Sequence, residues 1–175
     1  MYATATTWDF KVAVIVLLEE SGLGYDTRFR YYRRQFPGMS KAELARLVCE
    51  PIEKYDRDWP SWRAAQTAGH DDGAAITAFF LERDSRFRQE AQVGIFCLDE
   101  AGFGSGINVM RFIQAGKPIL GFYRHALEGR AVNIGNILQL QMEYPALVNL
   151  FTYRSLDDIP GEVRRWLAAL PAVNV

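Results

Sequence analysis

Four apolar runs stand out from the polar pattern of the chain: Phe10 to Leu18, Val93 to Leu98, Ile119 to Tyr123 and Leu147 to Thr152. Each is short and rich in β-branched or aromatic residues, so each reads as a strand buried on both faces. Between the runs the apolar residues recur at helical spacing. One stripe holds Leu44, Leu47, Val48 and Ile52, behind a Ser40-Lys41-Ala42-Glu43 capping box. A second holds Ala75, Ile76, Phe79, Phe80, Phe87 and Ala91. A third holds Ile107, Met110 and Ile113, closed by Gly116 and Pro118, and a last one holds Leu156, Ile159, Val163, Trp166 and Leu170. Strands that alternate with helices predict an α/β fold, here a doubly wound, flavodoxin- or Rossmann-like parallel sheet with helices on both faces. The usual second strand is not found between residues 37 and 70, so a helical insertion is expected in the N-terminal half. No repeat or linker interrupts the chain, and residues 1–175 are expected to form a single domain.

The segment from Val93 to Arg124 carries the candidate chemistry. It reads as strand, glycine-rich loop, helix and parallel strand within about 30 residues. Asp99 and Glu100 sit where the first strand ends, and Gly102, Gly104 and Gly106 follow at alternate positions. Open parallel sheets bind ligands outside the carboxyl ends of their strands, where this loop is expected. The glycine spacing is neither the dinucleotide fingerprint nor a phosphate-binding Walker loop. Ser105 has Ile107 where a nucleophile elbow needs glycine.

Composition narrows the field. Lys and Arg number 20 against 21 Asp and Glu, a formal net charge of −1. Such balance gives no global pull toward nucleic acid or an anionic membrane, and neither is expected as a partner. No apolar run approaches a membrane span, and the N-terminus lacks the basic start of a signal peptide. Cys49 and Cys97 make no disulfide framework. On these features a cytoplasmic protein is expected. The two histidines, His70 and His125, have no partner at metal-ligand spacing, so no metal or other cofactor is expected.

From about Ala74 to Leu170 the sequence resembles the nucleoside 2-deoxyribosyltransferase family, including its deoxynucleoside monophosphate N-hydrolase branch. Gly104-Ser105-Gly106, Ala115-Gly116-Lys117-Pro118 and Ile119-Leu120 fall in step with that family's ligand loop and following strand. The resemblance implies a nucleoside or nucleotide ligand, a homodimer or higher homo-oligomer, and chemistry at an N-glycosidic bond. It places Gly104, Ser105, Gly106, Asn108 and Asp99 at the substrate, and Glu20 and Gly22 in a sugar- or phosphate-contacting loop after the first strand. That loop reads equally as an ordinary turn. Asp84 matches an acidic residue that assists proton transfer, and it also reads as a helix charge paired with Arg88. Asn133, in Val132-Asn133-Ile134, matches a nucleoside-contacting Asn or serves as a helix N-cap.

The family's nucleophilic Glu stands nine residues before the lysine of Gly-Lys-Pro, and here that position is Asn108. Retaining glycosidic chemistry uses one carboxylate as nucleophile and a second to move protons. An amide cannot form the glycosyl ester. Three classes follow. An enzyme of this kind must recruit another carboxylate, with Asp84, Asp99 and Glu100 nearest and Asp84 and Glu100 as the catalytic candidates. A binding module keeps the pocket without the chemistry. An interaction domain uses the fold alone. Separately, Thr27 to Phe36 interleaves Arg28, Arg30, Arg33 and Arg34 with aromatic residues. It reads as an amphipathic helix with solvated arginines or as a nucleic-acid contact.

Overall fold

The structure, a computed structural model, describes residues 5–49, 72–99, 103–124 and 134–170. The chain divides into two compact units, Met1–Cys49 with Gln92–Val175, and Glu50–Ala91. In the first unit the helices are α1 (Ala5–Ser21), α2 (Thr27–Gln35), α3 (Lys41–Cys49), α5 (Phe103–Gln114), α6 (Ile134–Glu143) and α7 (Asp158–Ala169). Its strands are β1 (Gly94–Cys97), β2 (Ile119–Tyr123) and β3 (Val148–Thr152). In the second unit, α4 spans Asp72–Glu90.

The protein is α/β, and its described residues form a three-stranded parallel sheet in the order β1-β2-β3, a plan consistent with a Rossmann-like fold. Gly94 pairs with Ile119, and Ile119 with Val148. Alternation along β1 sends Ile95 and Cys97 to one face and Phe96 to the other. On the first face Cys97, Leu120 and Phe122 pack against Phe10, Val14, Leu17 and Leu18 of α1 and Ile159, Val163 and Trp166 of α7. On the other, the Phe96 ring meets Phe112 of α5 edge-on at 5.6 Å. Gly121 lies where a Cβ would stand 2.6 Å from a Leu98 methyl and 2.9 Å from a Leu150 methyl, so the sheet is closely covered there. Ile119 and Leu120 are buried as expected. Ile95 and Phe96 are only half-buried, because β1 is an outer strand of the described sheet.

One expected strand is absent. Phe10 to Leu18 lies within helix α1, not in a strand. A continuous apolar run carries no period to separate a buried strand from a buried helix. Burial decides it here: Phe10, Val14, Ile15, Leu17 and Leu18 are all covered, on more than one side of the helix. Tertiary contact with α3, α7 and β1 thus overrides the β preference of the valines and isoleucine. Gly22, at φ +68°, closes α1 in the left-handed conformation that glycine adopts without penalty.

The predicted helix signals hold. Ser40 and Glu43 form the capping box, the Ser40 amide donating to Glu43 at 3.0 Å and the Glu43 amide to Ser40 Oγ at 3.3 Å. Gly116, at φ +67°, ends α5. Helix α2 buries Phe29 and Tyr32. Its arginines are largely engaged locally: Arg28 with Asp26 at 2.8 Å, Arg33 with Glu19 at 3.1 Å, and Arg30 over the Tyr25 ring at 4.3 Å. The amphipathic reading of Thr27–Phe36 accounts for this geometry.

Asp26 caps α2, accepting from the amides of Arg28 at 2.9 Å and Phe29 at 3.1 Å. Burial works against its ionisation, but the charge and hydrogen bonds of Arg28 and the Phe29 amide outweigh it and hold the carboxyl below its usual range. A depressed folded pKa stabilises the fold above the unfolded carboxylate value of about 4 and loses that contribution as pH falls through the folded value. Asp26→Ala is expected to cost about 0.5–2 kcal/mol at neutral pH. In denaturant unfolding, the gap between wild type and variant should narrow below about pH 4; a gap that widens in acid would contradict this assignment.

Candidate functional site at the strand ends

Each strand delivers one polar side chain just beyond its carboxyl end: Asp99 after β1, Arg124 after β2 and Tyr153 after β3. Parallel register brings the three together. The Asp99 side chain is 1% exposed. One of its oxygens accepts from the Arg124 amide at 2.6 Å. The other accepts from Arg124 Nε at 2.9 Å and from the Tyr153 hydroxyl at 2.5 Å. The Arg124 guanidinium lies over the Tyr153 ring at 5.4 Å. The buried carboxylate is thus satisfied by charge and by three donors, the condition for keeping such a group inside.

The chemistry of the cluster follows. Burial pushes the Tyr153 phenol far up, and its hydrogen bond to Asp99 adds to the effect, so it stays neutral and donating. Cys97, buried in β1 with its sulfur 3.8 Å from the Tyr153 oxygen, is pushed up mainly by burial. It stays a thiol at neutral pH, with little nucleophilic character. Asp99 is fully engaged and cannot attack a sugar without releasing Arg124 and Tyr153. It therefore organises the strand ends.

The glycine segment is not a loop. Gly104, Ser105, Gly106 and Asn108 all lie within α5, which begins at Phe103. Gly104 and Gly106 are exposed, and a Cβ at either would meet nothing within 4 Å. Ser105 and Asn108 are half-buried. Glycine disfavours a helix interior by roughly 1 kcal/mol, but burial of Val109, Phe112 and Ile113 on the same helix offsets it. Glu20 and Gly22 do not follow a strand either: Glu20 is an exposed residue of the last turn of α1, and Gly22 is its cap. Gly22 stands twelve positions after Phe10, about 18 Å along the axis at the helical rise. It is Phe10 that packs against Phe122 and Tyr153 at the strand ends.

Asp84 lies on α4, in the second unit, with Arg83 3.1 Å away as an ion-pair partner. Glu100 and Asn133 lie outside the described residues. Among the described residues no group of His, Cys, Asp and Glu is placed to hold a metal ion, and no helix is long and apolar enough to cross a membrane. Of the expected site residues, the structure gathers Gly104 to Asn108 at the start of α5, four positions after Asp99 in the chain. Two members of the Asp99 cluster, Arg124 and Tyr153, are not singled out by any motif. The available signal was positional: each is the polar residue that follows an apolar parallel strand.

Comparison of the chain with protein-family models, with curated proteins and with solved structures finds no match in any of the three.

Proposed function

We propose that the chain is a nucleoside- or nucleotide-binding domain on the nucleoside 2-deoxyribosyltransferase plan, doubly wound, in which the glycosidic chemistry has lapsed. The observation that carries this reading is the β1-α5-β2 unit. It sets Gly104-Ser105-Gly106 and Asn108 on the first two turns of a helix at the carboxyl end of a parallel sheet. The sequence resemblance is strongest over this same unit. Asn108 can donate to and accept from a sugar hydroxyl, but it offers no anionic oxygen for a glycosyl ester. Asp99 does not replace it, because its oxygens hold Arg124 and Tyr153. The same reading takes the protein as a cytoplasmic homodimer without a cofactor.

A working glycosidic hydrolase or transferase on this plan would draw its carboxylates from Glu100 and Asp84. The test compares the natural protein with Asn108→Glu and Asn108→Ala, measuring base released from deoxynucleosides and their monophosphates. Slow or absent release by the natural protein is expected, with a rise of at least about a hundredfold in Asn108→Glu, since nucleophile changes move rates by powers of ten. Vigorous release by the natural protein that survives Asn108→Ala would overturn the lapsed reading and point to Glu100 and Asp84.

A further inference from the structure

We propose that the loop joining α1 to α2, together with the outward face of α2, docks on an anionic lipid bilayer; the inference does not depend on the nucleotide reading. The loop Gly22-Leu23-Gly24-Tyr25 leaves two large side chains in solvent, Leu23 at 44% exposed and Tyr25 at 47%. A Cβ at Gly22 or Gly24 would meet nothing within 4 Å, so the tip stands clear of the surrounding fold. Behind the tip, α2 turns Arg30, Arg33 and Arg34 to solvent. The Arg30 guanidinium reaches back over the Tyr25 ring at 4.3 Å and so joins the basic face to the tip. Arg34 follows one turn later, and like charges at that spacing weaken a helix. Neither Arg30 nor Arg34 forms an ion pair with the described residues. An anionic surface supplies the charge that this pair lacks.

The neighbouring charges decide the occupant. Arg28 is bonded to Asp26 at 2.8 Å and Arg33 to Glu19 at 3.1 Å, while Glu20 is exposed in the last turn of α1. Four arginines against these three carboxylates leave +1 between Glu19 and Gln35. That is too little for a nucleic acid, where affinity rests on neutralising many phosphates, and Leu23 would have no part in such a contact. A bilayer engages all the exposed groups. Leu23 enters the acyl boundary, the Tyr25 ring sits at headgroup level, and Arg30 and Arg34 meet anionic headgroups. Helix α2 does not itself insert, because its apolar side chains Phe29 and Tyr32 are buried in the protein. The whole chain, at −1, feels no long-range pull toward such a surface. The apolar tip and the arginines therefore act together, as two weak signals combined in one peripheral attachment.

The test is co-sedimentation of the full chain with vesicles of phosphatidylcholine alone and of phosphatidylcholine with phosphatidylserine. Partitioning is expected to be at least about tenfold stronger on the anionic vesicles, the scale of two arginines near a charged surface. Arg30→Gln with Arg34→Gln should bring that preference to within about twofold. Leu23→Ser should weaken binding to the anionic vesicles at least about fivefold, since it removes the side chain that inserts. Met142→Ser, which changes an exposed apolar residue of α6, should leave binding unaltered. The wild-type comparison of the two vesicles needs no variant, so the inference is testable even if a substituted chain fails to fold. Absence of binding to either vesicle, or equal binding to both, overturns it. So does anionic binding that survives Leu23→Ser and the double arginine variant, or that Met142→Ser abolishes. Binding to single-stranded oligothymidylate in place of vesicles would overturn it in favour of a nucleic-acid contact.

Discussion

Asp99→Ala is expected to destabilise the protein by about 3–5 kcal/mol, the cost of removing one partner from a buried ion pair. The substitution removes the acceptor for three donors just beyond the ends of two other strands. It leaves the Arg124 amide without a partner, strips the guanidinium of its counter-ion and orphans the Tyr153 hydroxyl. Water can reach the partly exposed Arg124, so the lower end of the range is the better expectation. Tyr153→Phe deletes one donor and leaves the ion pair, so it should cost only about 1 kcal/mol. Denaturant unfolding of both variants at neutral pH checks the pair of values. A loss below about 1 kcal/mol for Asp99→Ala would show that the cluster does not tie the strand ends together.

Phe10→Ala should cost a similar amount, about 3–5 kcal/mol, for a different reason. Phe10 is 1% exposed, and its ring packs against Phe122 at 5.3 Å and Tyr153 at 6.4 Å. Truncation leaves a cavity between α1 and the sheet whose walls are β2 and α7, neither free to collapse inward. Equilibrium unfolding gives the value. A cost under about 1 kcal/mol would mean that α1 does not pack on the sheet as described.

The three described strands were legible because each apolar run is short and bounded by glycine, proline or polar residues: Gly94 to Cys97 before Asp99, Ile119 after Pro118, Val148 after a Tyr144-Pro145 turn. Helix α1 was not, for the reverse reason. It is apolar nearly all round, and what makes it a helix is its neighbours α3 and α7, which no local pattern reveals. The start of α5 was misread because glycine at alternate positions looks like a loop, while the residues that hold it helical, Val109, Phe112 and Ile113, come later in the chain. Of the site, Asp99 was visible as the acid at a strand end, but not its role. Its partners are 25 and 54 positions away, and parallel register alone brings them to it.

The strand register also bears on the order in which the molecule assembles. Residue 94 pairs with 119, and 119 with 148, so each strand pairs with the next one in sequence across a single helical crossover. Phe10 must instead find Phe122 across more than a hundred residues. Loop-closure entropy grows with the logarithm of loop length, which makes the second event costlier by roughly 1 kcal/mol. The sheet with its crossover helices is therefore the entropically favoured nucleus, and α1 docks on it afterwards. Loss of the Phe10 ring should then appear chiefly as faster unfolding, with the folding rate little changed.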